Sequence, residues 1–286
     1  MIGAVTNIVL DPIFIYGWFG LPALGTAGAA IATVIGQAVG ALVGFFFHVR
    51  RNVELPIPLR MIRPNGRIIR EIYAIGIPSI LMMCIGSLTN YLMNIILIGF
   101  TSTAVAVYGA YFKIQSFFFM PVFGINNGLL PIIGYNYGAR KRERIYRSFR
   151  YGVLYASCFM LLGFTLFQLC PQTLLGLFHP SEAMLAIGVP ALRRLSISFL
   201  FAGFCIVAGS TCQALDRSIY SFLISVLRQI VALVPSAWLL SLTGDVNMVW
   251  WSFPIAELMS LAASIFFLRL SFRRMETVLT LEERDG

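Results

Sequence analysis

Three residues near the start of the chain, Asn7, Asp11 and Pro12, have the types and spacing of a small site for a cation or a proton. They lie in an apolar run, where an ionisable side chain is costly and is therefore a functional candidate. In a helix, Asn7 and Asp11 share one face because they are four residues apart. Pro12 lacks an N–H, so the carbonyl of Ile8, one turn earlier, loses its helical donor. Together these groups offer the oxygen ligands that hard cations prefer.

A purely structural interpretation of Asp11 stays open at this point. The carboxyl group would then be protonated and hydrogen-bonded to a neighbouring helix, or the helix would be shifted so that Asp11 lies at the membrane interface.

A second set of polar residues lies in the third and the last of the long apolar runs. Ser87, Asn90 and Asn94 fall on one helical face, which predicts a polar stripe along a cavity. Hydrogen bonding between helices is an equally good explanation of this stripe. Glu257 follows Pro254 about half-way along the last apolar run and is the second acidic candidate.

The sequence carries none of the common signatures of an enzyme or a metal site. It has no nucleophile elbow, no HExxH and no phosphate loop, and its five cysteines show no CxxC spacing. His48 and His179 are far apart in the chain. We therefore expect no catalytic residues, no metal and no cofactor.

The composition indicates that these residues are positioned by membrane helices. Of 286 residues, 58% are hydrophobic and only 12% are charged, whereas a soluble domain has about 25% charged residues. The net charge of +9 comes from short basic runs between apolar stretches. That distribution is typical of the positive-inside rule and argues against a nucleic-acid partner. The expected environment is a lipid bilayer.

The apolar stretches predict an all-α integral membrane protein with about eight transmembrane helices, each crossing with about 20 residues. The predicted spans are 2–19, 27–49, 73–100, 104–134, 149–170, 184–211, 219–242 and 248–270.

Basic residues predict how these spans are oriented. Arg and Lys concentrate after the second and fourth spans and in the C-terminal tail, while the opposite connections contain neither residue. The basic connections and the C-terminus are therefore expected to face the cytoplasm, in a multi-pass protein of the cell's inner (plasma) membrane. The predicted organisation is residues 1–49, a cytoplasmic linker over 50–72, a helical bundle over 73–275 and a cytoplasmic tail over 276–286.

Several runs, taken in order, resemble the multidrug and toxic compound extrusion (MATE) transporters. The resemblance covers essentially the whole chain, and it is carried by NIVLDPIFIYG, GAAIATVIGQ, PIIGYNYGARKRERI, CQALDRS and PIAEL. It implies a fold of twelve helices in two six-helix lobes, with this chain similar to helices five to twelve. Residues 1–49 would be the last two helices of the N-lobe and 73–275 the six-helix C-lobe, in an N-terminally truncated chain.

The resemblance also implies roles for individual residues. Asn7, Asp11 and Thr33 match the part of the family's N-lobe site for a cation or a proton that this chain contains. Some members place acidic residues in the C-lobe for sodium, but the corresponding positions here are near Gly86 and Cys205. This departure favours coupling in the N-lobe.

The function expected on this basis is antiport. A proton or sodium ion would drive export of cationic or amphipathic drug-like molecules by a monomer, with Ser87, Asn90, Asn94 and Glu257 lining the cavity. Two alternatives remain: a flippase for lipid-linked oligosaccharides or polysaccharides, and a membrane fragment that does not transport. The flippase needs a cationic cavity, for which the sequence offers Lys113, Arg193, Arg194 and Arg228.

Overall fold

A computed structural model describes residues 1–20, 22–51 and 65–285 of the chain. The chain divides into two compact units, Met1–Ile69 and Arg70–Gly286. Most of the predicted linker over 50–72 lies outside the described residues, but its end does not, because a helix already begins at Gly66.

The first unit is a helical hairpin. Helix α1 spans Ile2–Tyr16 and ends at Gly17, whose φ of 73° is the left-handed conformation that glycine adopts readily. A single 3₁₀ turn over Trp18–Gly20 follows, and helix α2 spans Gly25–Arg51.

The second unit contains the longer helices, and its described residues hold no strand. Its helices are α3 (Gly66–Ile98, which begins in the first unit), α4 (Ser102–Gly138), α5 (Arg142–Leu169), α6 (Pro171–Gly176), α7 (Glu182–Ser196), α8 (Phe199–Ala214), α9 (Ser218–Val226), α10 (Val234–Ser241), α11 (Val246–Val249) and α12 (Ser252–Asp285). A π-helical turn, Leu227–Leu233, joins α9 to α10.

Aromatic side chains of α4, α5 and α8 form the centre of the second unit. Tyr111, Phe167 and Phe199 are fully buried or nearly so. The ring centroids of Tyr111 and Phe167 are 6.1 Å apart and those of Phe167 and Phe199 are 5.1 Å apart, both edge-on. This is the geometry that aromatic pairs prefer, so these rings fix how the three helices pack.

The predicted all-helical membrane fold is confirmed over the described residues. By length and composition, five described helical segments can cross a membrane: α2, α4, α5, the run from α9 through α10 (Ser218–Ser241) and the run from α11 into α12 (Val246–Val278). The bent pair α7 and α8 makes a sixth if it forms one span. The first and third predicted spans correspond to the shorter apolar segments Ile2–Tyr16 and Cys84–Ile98. The eight predicted spans therefore all fall on helices, but only five or six of them are both long and apolar enough in the described residues to cross a membrane.

The sixth predicted span, 184–211, is not one straight helix. It bends by 48° between α7 and α8. At this bend the hydroxyl groups of Ser196 and Ser198 donate to the carbonyls of Arg193 (3.0 Å) and Leu195 (2.7 Å). Side-chain hydrogen bonds of this kind compete with the helical backbone pattern, which accounts for a break inside an apolar run.

Candidate cation site and polar cavity

The structure brings the three predicted coupling residues together in the first unit. The side-chain amide of Asn7 donates to Oδ1 of Asp11 at 3.3 Å and to Oγ1 of Thr33 at 3.4 Å. The Thr33 hydroxyl in turn donates to the carbonyl of Ala29 at 2.8 Å. Asn7 is therefore the residue that joins the carboxylate on α1 to the hydroxyl on α2.

Glycines allow the two helices to approach closely at this cluster. A Cβ atom on Gly36 would lie 2.7 Å from the carbonyl oxygen of Gly3 and 3.0 Å from Cβ of Asn7. Real Cβ atoms do not approach a backbone oxygen so closely, so only glycine fits at Gly36. The close packing places Asn7 within reach of Thr33.

The cluster leaves oxygen atoms available for a ligand. Among the described residues, its side-chain hydrogen bonds use Nδ2 of Asn7 and Oδ1 of Asp11, and they leave the side-chain oxygen of Asn7 and Oδ2 of Asp11 without a donor. Asn7 and Asp11 are half-buried, and Thr33 is exposed. These oxygens suit a hard cation or a proton. Among the described residues, no three or more His, Cys, Asp or Glu side chains come together, so none of them form a cluster of the kind that binds transition metals.

A second candidate site lies within residues 70–286, in a cavity of about 400 Å³. Its walls come from α3, α4, α12, the π-helical turn and the bend before α8. The polar lining residues are Ser87, Thr89, Asn90, Gln115, Ser198, Arg228, Gln229 and Glu257, and the aromatic ones are Tyr108, Tyr111, Phe112, Phe119 and Phe253.

Arg228 and Glu257 form an ion pair in this cavity. Nη1 of Arg228 lies 3.6 Å from Oε2 of Glu257, and the side chains are 34% and 7% exposed, respectively. The second carboxylate oxygen, Oε1, is buried and has no hydrogen-bond partner among the described residues. The π-helical turn carries Arg228, and such turns occur frequently at functional sites.

The four cavity-lining residues predicted from sequence are placed differently. Ser87, Asn90 and Glu257 line the cavity, but Asn94 is not among its lining residues. The Asn94 amide instead donates to the carbonyl of Asn90 at 2.9 Å, a local bond within α3.

The sequence named Arg228 only as a candidate cation for a flippase cavity, and its pairing with Glu257 was not predicted. Arg228 stands next to Gln229 in an apolar run, which was a usable signal, but nothing in the spacing connects it to a carboxylate 29 positions later. The positions where some family members carry acids belong to the same region. Gly86 lines the cavity, and the buried Cys205 lies beside Glu257. The carboxylate of this region therefore comes from α12.

Known proteins that resemble this chain are transporters. Multidrug export protein MepA of Staphylococcus aureus (strain bovine RF122 / ET3-1) is 26% identical over 284 residues, which cover 98% of this chain and 60% of the relative. Multidrug export protein MepA of Staphylococcus saprophyticus is 26% identical over 270 residues, which cover 93% of this chain and 58% of the relative. The chain thus spans about 60% of the length of these relatives.

Solved structures share the fold. One is an outward-facing multidrug resistance MATE family transporter of the MOP superfamily, with a TM-score of 0.83, 24% identity, and coverage of 98% of this chain and 61% of the other. Another is a MOP superfamily transporter from Pyrococcus furiosus, reported with a binding pocket of reverse polarity. Its TM-score is 0.83 and its identity 25%, with coverage of 98% and 62%.

The family is established by the sequence itself. The MatE family model matches residues 78–239, which is more than half of the chain. Together with the helical fold and the resemblance over the first unit, this match means that the chain belongs to the MatE family of multidrug and toxic compound extrusion transporters.

Proposed function

We propose that this protein acts as a monomer in the plasma membrane and exports cationic or amphipathic drug-like compounds in exchange for a proton or a sodium ion. The hydrogen-bonded cluster of Asn7, Asp11 and Thr33 is the observation that carries the coupling part of this proposal. Export itself is supported by membership of the MatE family and by relatives that are named multidrug export proteins.

Coupling requires that the ion binds differently in the two transport states. An ion can shift a conformational equilibrium only by its differential affinity for the two states. Asp11 supplies the charge that attracts the ion, and Asn7 and Thr33 fix the orientation of the carboxylate. Pro12 stands inside α1 and removes one backbone hydrogen bond next to Asp11, so the helix has a weak point where this geometry can change.

The proposal is tested by substituting Asp11→Asn. Asn keeps the size and hydrogen-bonding capacity of the side chain, but it cannot take up a proton and has no charge for sodium. We expect the variant to lose export of a cationic dye from proteoliposomes driven by an imposed proton or sodium gradient. Asn7→Ala should weaken export less, because the amide only supports the carboxylate.

The matched control is Asp216→Asn, which removes an exposed carboxylate where φ is 62°, a conformation that Asn tolerates. Size-exclusion profiles should be unchanged for both aspartate variants. Export by Asp11→Asn at the wild-type rate would refute the site. Absence of gradient-driven export in the wild-type protein would refute the function and favour a membrane fragment that does not transport.

The described contacts do not favour the flippase alternative. Of its four candidate cations, only Arg228 lines the cavity within residues 70–286. Arg194 donates to the side chain and carbonyl of Asn247 at 2.7 and 3.0 Å, and Lys113 lies 5.9 Å from the ring of Phe178. Arg193 is exposed. These cations do not gather around one anionic head group.

A further inference from the structure

We infer that the cavity within residues 70–286 binds a small aromatic zwitterion, with the ligand's carboxylate at Arg228 and its ammonium group at Glu257. The inference rests on the proposed export function for its biological purpose, and it deepens that function by naming a ligand class and two selectivity residues. Binding itself can be measured without transport.

Both members of the ion pair, Arg228 and Glu257, retain hydrogen-bonding groups that a ligand could use. The 3.6 Å separation of Arg228 and Glu257 is longer than the 2.7–2.9 Å of a well-formed charge-assisted hydrogen bond. Oε1 of Glu257 is buried and, among the described residues, accepts no well-formed hydrogen bond; the neighbouring group is the Cys205 thiol, a weak donor, so a ligand's ammonium group would be a stronger partner for this carboxylate. The Arg228 side chain is 34% exposed, and its fork of five N–H donors matches the two oxygens of a carboxylate.

The charges of the cavity favour a ligand that carries both signs. Its described lining contains one arginine and one glutamate, and its other ionisable side chains are the tyrosines Tyr108 and Tyr111. A simple cation would meet attraction from Glu257 and repulsion from Arg228 at similar distances, and a simple anion would meet the reverse. A zwitterion can align its two charges against the pair, so both contacts are attractive.

The aromatic lining residues and the volume of the cavity favour a ligand with a small aromatic ring system. Tyr108 and Tyr111 are almost fully buried; their ring centroids lie 6.1 and 6.0 Å from that of Phe253, and Phe112 stands edge-on to Tyr108 at 4.8 Å. The lining rings that keep exposed surface are Phe112, Phe119 and Phe253. Such rings hold another aromatic ring by stacking or edge contacts. A volume of about 400 Å³ is at the small end of ligand pockets, which suits a one- or two-ring compound.

Two further polar groups line the same cavity. Oε1 of Gln115 and Oγ1 of Thr89 are buried without hydrogen-bond partners among the described residues, and both residues line the cavity. A protonated amine can donate three hydrogen bonds, so it can satisfy these acceptors as well as Glu257.

The test uses three probes that share one ring system and differ in charge: tryptophan, tryptamine and indole-3-propionate. Their binding to the purified chain in lipid nanodiscs is measured by calorimetry. We expect tryptophan to bind wild-type protein at least about tenfold more tightly than either single-charge probe. Arg228→Gln should shift the preference to tryptamine, and Glu257→Gln should shift it to indole-3-propionate.

These opposite shifts distinguish an ion pair that recognises the ligand from one that only stabilises the packing of the helices. A pair that only holds helices together would weaken all three probes alike when broken, and this result would overturn the inference. Arg193→Gln removes an exposed arginine outside the cavity and should leave all three affinities unchanged. Should a single Gln variant fail to fold, the exchange Arg228→Glu with Glu257→Arg keeps a pair and should retain the preference for tryptophan.

Two further outcomes would also overturn the inference: no binding of any probe by wild-type protein, and a wild-type preference for tryptamine. Failure of the proposed function is a separate result, because gradient-driven dye export depends on Asp11, which lies outside this cavity. Zwitterion binding without export would refute the exporter and leave the binding site standing.

Discussion

The side-chain amide of Asn7 is the central group of the proposed coupling site, because it contacts both of the other two residues. It donates to Asp11 and to Thr33, so the orientation of the carboxylate depends on a hydroxyl group on the neighbouring helix. The Thr33 hydroxyl has already donated its hydrogen to Ala29, which leaves its oxygen free to accept from Asn7. Thr33 is therefore expected to position Asp11 and not to bind the ion by charge.

Substitution of Thr33 tests this role. Thr33→Val keeps the shape of the side chain and removes the acceptor, which costs about 1 kcal/mol for one hydrogen bond. We expect the gradient needed for half-maximal dye export to rise about fivefold, with the maximal rate little changed. Thr33→Ser retains the hydroxyl and should behave like wild type. Equal export by the Val and wild-type proteins would show that Thr33 plays no part.

At the scale of the helices, the contact between α1 and α2 depends on which glycines face the partner helix. The ridge Gly36, Gly40 and Gly44 predicts close packing from sequence. The structure confirms this for Gly36 and Gly40, whose Cβ positions would lie 2.7 and 3.5 Å from Gly3. Among the described residues, no atom outside its own stretch of helix lies within 4 Å of a Cβ placed on Gly44, so this glycine is not part of the close contact.

This difference gives a matched pair of substitutions on one helix. Gly36→Ala should push α1 away from α2 and separate Asn7 from Thr33, because an added methyl group has no room, at a cost of about 1–3 kcal/mol. Amide hydrogen exchange in α1, measured by mass spectrometry, should quicken about tenfold. Gly44→Ala adds the same methyl group in open space and should leave exchange unchanged. Equal exchange rates in both variants would contradict the close-packing argument.

Local patterns predicted the helices and the proximity of Asn7 and Asp11, whereas Thr33, on the neighbouring helix, was expected only from the family resemblance. Asn7 and Asp11 are four residues apart, so a helical pattern alone places them together. The bend between α7 and α8 and the π-helical turn at Leu227–Leu233 lie inside apolar runs whose hydropathy resembles that of a straight span. The Arg228–Glu257 pair depends on how α12 packs against that turn, which no short-range pattern contains.

At the scale of the whole molecule, the helix ends that contact each other are ends that the distribution of Arg and Lys assigns to the same side of the membrane. Near the start of α5, Arg142 and Tyr146 contact Glu276 in the last part of α12, with 2.8 Å between the Tyr146 hydroxyl and Glu276 Oε1. Charge distribution assigns both of these ends to the cytoplasmic side. Arg194 and Asn247 meet near ends that it assigns to the opposite side.

The orientation itself is tested by labelling single cysteines in a variant that lacks the five native ones. Gly66 and Arg144 are exposed in basic segments, so Gly66→Cys and Arg144→Cys should be shielded from an impermeant thiol reagent in intact cells. Ser102→Cys and Thr243→Cys are exposed at connections without Lys or Arg and should react. Permeabilising the cells should make all four react, which controls for local burial. Labelling of Gly66→Cys or Arg144→Cys in intact cells, with protection of the other two, would reverse the assignment and place the C-terminus outside.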